Sequence, residues 1–179
     1  MLRFLRFLVI GVGLLVLAIV LIGSFMPGSW SADGSRVLRA PPERVQAALE
    51  DLHTWPEWTH WSPAIDGSAK LTFDGPPRGV GARMSWEGQI LGFGSITLLA
   101  ARPGGGVDYE LTMAGVDGVT RGSITLEPDP AGTRATRREG AELGWNPMMR
   151  LFAPLLSAKL RRDFDAGFEK LARVVEPPR

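Results

Sequence analysis

There is no cysteine among the 179 residues. That excludes a disulfide framework, a thiolate metal site and a cysteine nucleophile. Histidine is nearly absent too: His53 and His60 are the only two. They sit seven apart, and no HxxH or HxxxH pair exists. They read as exposed histidines at helix ends, and no metal site is expected. Tyrosine occurs once, as Tyr109, against eight Phe and six Trp, so the interior should be apolar with few hydroxyl handles. No block of Lys and Arg occurs, and the formal net charge is +1. Without Arg3 and Arg6 the remainder carries −1, which argues against nucleic acid as a partner. No Gly-x-Ser-x-Gly elbow occurs, and nothing places a Ser beside a His and a carboxylate. Gly79-Val80-Gly81 and Gly92-Phe93-Gly94 lead into no helix, so they read as bends in strands rather than phosphate loops. No fixed-period repeat and no low-complexity segment is visible. The sequence identifies no catalytic constellation and implies no cofactor.

What is present begins with a long apolar run. Residues 1–6 carry Arg3 and Arg6, and residues 7–26 carry no charge at all. Roughly 20 apolar residues at about 1.5 Å each match the ~30 Å of a bilayer's hydrocarbon core. A cleaved signal peptide is the alternative. Its apolar part is shorter and ends in small residues, whereas Trp30-Ser31-Ala32 puts a Trp where a small residue is wanted. The expectation is a single transmembrane helix in the inner membrane. Arg3 and Arg6 stay in the cytoplasm, and the globular part lies on the periplasmic side. Residues 27–35 (PGSWSADGS) read as a short turn-rich linker, with Trp30 at the membrane interface. One domain spans residues 36–176.

Within that domain, residues 35–40 read as a short strand, and Pro41-Pro42-Glu43 opens a helix through Asp51 with Val45, Ala48, Leu49 and Leu52 inward. Thr54–Trp61 (TWPEWTHW) is aromatic and Pro-punctuated, a short second helix or turn. Six strands are expected at residues 69–73, 82–87, 90–101, 107–114, 120–127 and 133–143, separated by turns such as Asp117-Gly118. Asn146-Pro147 then starts a long helix through Val175. Leu160, Phe164, Phe168, Leu171 and Val175 fall within one face about 80° wide. Pro154 should kink this helix or mark off a leading piece. The order describes an α+β layer: a curved antiparallel sheet of about seven strands around a long helix, with space left for a ligand cavity.

That order resembles the START/Bet v 1-like helix-grip superfamily (SRPBCC), specifically its bacterial polyketide cyclase/dehydrase-like branch. The segments that carry the resemblance are Trp55-Pro56-Glu57-Trp58 with Trp61, Gly79-Val80-Gly81 leading to Trp86-Glu87-Gly88, and Gly94-Ser95-Ile96-Thr97. Gly132-Thr133 and the run from Asp163 to Leu171 complete the set. Arg137 stands where the family usually has a Trp. The resemblance implies a cavity for a hydrophobic ligand, and it implies no one reaction, because the fold hosts carriers, sensors and enzymes alike.

Candidate acid–base groups are His60, Glu87, Tyr109, Glu110, Arg137 and Glu139. Alternation puts Ala135, Arg137 and Glu139 on one face of the last strand. If that face lines the interior, Arg137 is a partly buried cation that needs a carboxylate or a polar ligand head group. If it faces water, these are ordinary surface charges. Trp86, Phe93 and Tyr109 fall at strand positions compatible with an inward face. Trp55, Trp58 and Trp61 either cap the sheet edge or gate a cavity mouth. Gly167 lies on the buried helix face, where either close packing or space for a ligand accounts for it. The ligand-lining residues expected are Trp58, Trp61, Trp86, Phe93, Tyr109, Arg137, Phe164, Gly167 and Phe168. The reading is a membrane-anchored binding module for a lipid or other hydrophobic small molecule. The alternative is a cyclase-, dehydratase- or hydrolase-like enzyme using cavity acid–base groups.

Overall fold

The computed structural model describes residues 2–115 and 118–177, so Asp117 of the expected Asp117-Gly118 turn lies outside the described residues. Helix α1 (Leu2–Phe25) is followed by strand β1 (Ser29–Leu38), helix α2 (Pro42–Glu50), a 3-10 turn (Leu52–Thr54) and helix α3 (Trp55–Trp58). Strands β2 (Lys70–Asp74), β3 (Arg83–Gly88), β4 (Gly92–Arg102), β5 (Gly106–Met113), β6 (Thr120–Asp129) and β7 (Gly132–Glu142) come next, and then helix α4 (Pro147–Val175). The seven strands form one antiparallel sheet in the order β1-β7-β6-β5-β4-β3-β2. This is the expected α+β helix-grip arrangement, and strands β2 to β7 lie within two residues of their expected bounds.

One expectation needs correction, and one of the two alternatives for Pro154 is removed. Residues 29–35, read as linker, belong to β1, which pairs with β7 from Ser29↔Glu142 to Leu38↔Thr133. Their own sequence has no apolar alternation; the ladder of β7 imposes the extended conformation. Helix α4 is also one element with Pro154 inside it. Pro154 forgoes one backbone hydrogen bond on an exposed stretch and does not split off a leading helix.

Asn146 caps α4 by accepting from the Met148 and Met149 backbone N–H groups at 3.1 and 3.3 Å. The inner face of α4 then buries Phe164, Phe168, Leu171 and Val175 completely, while Leu160 is half-buried. Burying such side chains contributes roughly 1.5–3 kcal/mol each, so packing rather than intrinsic propensity fixes this helix. Helix α2 is fastened to β5 by Gln46. Its buried amide accepts from Gly106 N–H at 2.8 Å and donates to Gly106 C=O at 3.3 Å.

The loop after the Trp cluster is tied to the β3–β4 turn by Asp66. Its carboxylate accepts from the Ser68 hydroxyl (2.6 Å), the Ser68 backbone (3.0 Å), Ile90 N–H (2.7 Å) and Leu91 N–H (3.0 Å). The Ser68 hydroxyl, followed by the Leu91 N–H, draws its pKa down to about 2. A carboxylate with a depressed folded-state pKa stabilises the fold above its ordinary pKa of 3.8, and that stabilisation is lost as pH falls toward 2. Urea unfolding of wild type should therefore weaken across that window. Asp66→Ala should be weaker at neutral pH and show less further loss on acidification. Parallel pH profiles for the two proteins would remove Asp66 from this role.

Candidate functional site

Alternation along β7 turns Ala135, Arg137 and Glu139 toward the helix side, where they are 0, 3 and 4% exposed. The interior face is therefore the one that carries the charges. Glu139 lies opposite Gly122 of β6, and Gly122 lies opposite Tyr109 of β5. A Cβ on Gly122 would strike the Tyr109 ring, so the glycine opens the path by which the phenol crosses β6. Tyr109 Oη donates to Glu139 Oε1 at 2.6 Å. Arg137 Nε donates to Tyr109 Oη at 2.8 Å and to Glu139 Oε1 at 3.1 Å, and Arg137 Nη2 donates to the same Oε1 at 2.5 Å. Among the described residues no hydrogen bond engages Arg137 Nη1.

Aromatic rings surround the guanidinium. Its carbon lies 4.5 Å from the Phe164 ring centre, 5.3 Å from Trp61, 5.7 Å from Tyr109 and 5.8 Å from Trp58. Phe164 comes this near because Gly34, opposite Arg137 on β1, lets α4 close in; a Cβ there would sit 3.0 Å from the Phe164 Cβ. Trp61 stacks on Trp86 at 5.4 Å and on Trp55 at 6.3 Å. The Trp86 ring in turn lies where a Cβ on Gly94 would be. Trp55 Nε1 donates to Leu49 C=O at 3.1 Å. The indole N–H groups of Trp58, Trp61 and Trp86 are buried with no hydrogen-bond partner among the described residues.

The electrostatics follow from this burial. Desolvation works against the Arg137 charge, but Glu139 and Tyr109 outweigh it and hold the guanidinium firmly protonated. Burial pushes the Tyr109 phenol well above its ordinary range, so it stays a donor. His60 packs on Trp61 at 4.5 Å. Burial first, and then the charge of Arg137, lower its pKa to about 4.

Of the residues expected at the site, Trp58, Trp61, Trp86, Tyr109, Arg137 and Phe164 come together, and Phe168 is buried in the core beside them. Three placements differ from expectation. Phe93 points outward and is 56% exposed. It pairs with Glu87, one step from the inward pair Trp86↔Gly94, so it lies on the other face of the pleat. Gly167 faces α3, where a Cβ would lie 3.1 Å from the Trp58 carbonyl, so it serves close helix–helix approach. His60, read as an exposed helix-end residue, is half-buried. Glu139, outside the expected lining, joins the cluster, and its position two residues from Arg137 on one strand face is the signal for it. Glu87 is exposed and Glu110 half-buried; neither joins the cluster.

Residues 29–176 match the sequence profile of the family described as "Polyketide cyclase / dehydrase and lipid transport". The chain belongs to that family. The match begins at the first residue of β1, in keeping with the strand's early start. Comparison with curated protein sequences gave no match. Among solved structures, protein CV1439 from Chromobacterium violaceum is 23% identical with a TM-score of 0.56, covering 86% of this chain and 100% of its own. Protein SA2116 from Staphylococcus aureus is 12% identical with a TM-score of 0.64, covering 83% and 94%. The di-domain ARO/CYC StfQ from the steffimycin biosynthetic pathway is 10% identical with a TM-score of 0.60, covering 83% of this chain and 51% of its own. At these identities the likeness shows the fold alone.

The buried pair makes a sharp prediction. Glu139→Ala leaves an uncompensated interior cation and should lower stability by roughly 3–5 kcal/mol. Replacing the whole polar set, as Arg137→Met with Glu139→Leu and Tyr109→Phe, should cost far less, about 1 kcal/mol or below, because no buried polar group is then left without a partner. Chemical unfolding of the three proteins decides it; equal losses would mean that the charges are not the interacting unit.

Proposed function

We propose that this protein is a membrane-anchored binding module for an apolar molecule with an acidic or carbonyl oxygen at one end. The observation that carries the reading is a guanidinium with one nitrogen uncommitted against two indoles whose N–H groups have no partner, Trp58 and Trp61, with a third such indole, Trp86, stacked on Trp61. Leaving a buried donor unsatisfied costs about 1–3 kcal/mol. Indole and guanidinium are donors only, so the complementary group is an acceptor: a carboxylate, ketone or enolate oxygen. The surrounding rings suit an apolar body. Family membership supports the same direction, since the family description includes lipid transport. Helix α1 is long and apolar enough to cross a membrane. With Arg3 and Arg6 ahead of it, the reading places the N-terminus in the cytoplasm and the domain on the periplasmic side.

A second reading has its own support in Tyr109 and Glu139. A phenol held protonated beside a carboxylate is an acid–base pair. In a dehydration, Glu139 would take the proton α to a carbonyl while Tyr109 protonates the departing hydroxyl, and water leaves.

The test is a titration of the detergent-purified chain with a polycyclic aromatic carboxylic acid and with the matching alcohol, read by Trp fluorescence. The acid should bind at least about tenfold more tightly, as a charge-assisted hydrogen bond requires. The Arg137→Met/Glu139→Leu/Tyr109→Phe protein should lose that preference while staying folded. Equal affinities in wild type would sink the anchor role of Arg137. Tyr109→Phe that binds a β-hydroxy thioester normally but no longer dehydrates it would favour the enzyme instead.

A further inference from the structure

Helix α4 carries two apolar faces. One grips the sheet through Phe164, Phe168 and Leu171. At about 100° per residue, Met148, Phe152 and Leu155 form a second stripe centred roughly 160° from the first, on nearly the opposite side of the helix. This stripe is open: the three side chains are 45, 54 and 65% exposed. It continues as a groove of about 580 Å³ past Leu156 to Lys159 and Arg162.

Helix α1 sets where this face lies. Gly23, in the last turn of α1, is buried against Pro147, and a Cβ there would strike the Pro147 carbonyl. Arg150 reaches across to Gly28 and lies 5.3 Å over the ring of Trp145, itself 73% exposed. The first turns of α4 therefore start at the level where the apolar helix ends. The ladder carries that level across the sheet, from Ser29↔Glu142 through Arg121↔Gly140 to the start of β6. Val119, 42% exposed, lines a groove there together with Trp30. The opposite end of the sheet is polar. It carries the ion pairs Arg102–Asp108, Arg134–Asp129 and Arg39–Glu176.

We propose that the α1 end of the domain docks on the same bilayer that α1 crosses. The outer stripe of α4 and Val119 sit at the headgroup–acyl boundary, and Arg150 and Arg162 meet anionic headgroups. The inference rests on α1 being a membrane anchor, as proposed above. A helix with exposed Phe, Leu and Met, preceded by an exposed Trp and flanked by Arg and Lys, has the composition of an interfacial helix, which settles about 5–10 Å into that boundary. An exposed Trp is the residue enriched at membrane interfaces, where its amphipathic ring sits at headgroup level. Only residues 26–28 separate α1 from β1. So short a tether keeps this face at a high effective concentration beside the bilayer, whereas a second copy must arrive by diffusion.

The chain has no Cys, so single-Cys variants of the full chain label cleanly. We would attach an NBD fluorophore at Phe152→Cys, Val119→Cys, Val12→Cys in α1, and Ala131→Cys in the β6–β7 turn at the far end. The labelled chains go into vesicles of phosphatidylcholine with about a quarter phosphatidylglycerol, with and without doxyl-labelled lipid. Probes at Val12, Phe152 and Val119 should emit to the blue and lose at least about half their emission to the doxyl lipid, while Ala131 stays unquenched. Quenching at Val12 with water-like emission at Phe152 and Val119 overturns the docking and leaves the anchor intact. No quenching at Val12 overturns the anchor, and the docking with it. A disulfide between two copies of the unlabelled Phe152→Cys chain, with no lipid quenching at that site, assigns the face to a second copy and overturns the proposal.

Discussion

A guanidinium that is only 3% exposed needs its counter-charge inside with it, and much of this domain is arranged around that need. Moving an ion out of water costs several kcal/mol even after relaxation, and attraction in the interior offsets this only when the geometry is good. Arg137 and Glu139 meet the requirement from two positions on one strand face. Tyr109 joins the pair by accepting from Nε and donating to the shared carboxylate oxygen, which leaves Nη1 uncommitted. Each contact fixes something at a distance. Tyr109 reaches Glu139 only because β6 has Gly122 between them, and Phe164 covers the guanidinium only because β1 has Gly34 opposite it. One buried charge thus constrains residues on β1, β5, β6, β7 and α4.

The choice of indole around this pair needs a separate account. Cation–π contact with Arg137 is worth about 0.5–1 kcal/mol when exposed and ~2 when desolvated. Three orphaned N–H donors at about 1–3 kcal/mol each work against that gain. Leu or Phe would fill the same volume without orphaning a donor, as Phe164 and Phe168 do from α4. Trp55 shows that the fold can satisfy an indole where it is purely structural, through the Leu49 carbonyl. Packing alone therefore does not explain Trp58, Trp61 and Trp86; the acceptor proposed above would satisfy their N–H groups.

How much of this was legible in the sequence depends on which physical signal each residue carries. The long helix was legible because five large apolar residues repeat at helical spacing beside an Asn-Pro start. The strand bounds were legible because Gly and Pro punctuate them. Strand β1 was not, because residues 29–35 owe their conformation to hydrogen bonding with β7. Alternation showed that Ala135, Arg137 and Glu139 share a face but not which face, since the sheet has charges on both sides. Phe93 failed for a related reason. In Gly92-Phe93-Gly94 the apolar residue lies one step out of register with Trp86, and a single step reverses the face. The partnership of Tyr109 with Glu139 spans three strands and depends on a glycine, which no local pattern announces.

His60 shows how tightly the interior charge is balanced. It lies against Trp61 within reach of four charges: Arg137 and Glu139 inside, Lys159 and Asp163 on α4. The two acids favour its proton and the two cations oppose it, so neighbouring charges largely offset one another. Burial is the largest influence, and it holds the ring neutral down to about pH 4. Neutrality matters to the pair. Arg137 already commits two nitrogens to one oxygen of Glu139. An imidazolium nearby would be a second cation competing for that carboxylate in a medium that screens poorly. Lys159, by contrast, is satisfied at the surface by Asp163 at 2.6 Å and makes no demand on the interior. The aromatic wall therefore does two things at once. It shields the guanidinium from water, and by burying His60 it keeps a second cation away from the Arg137–Glu139 pair.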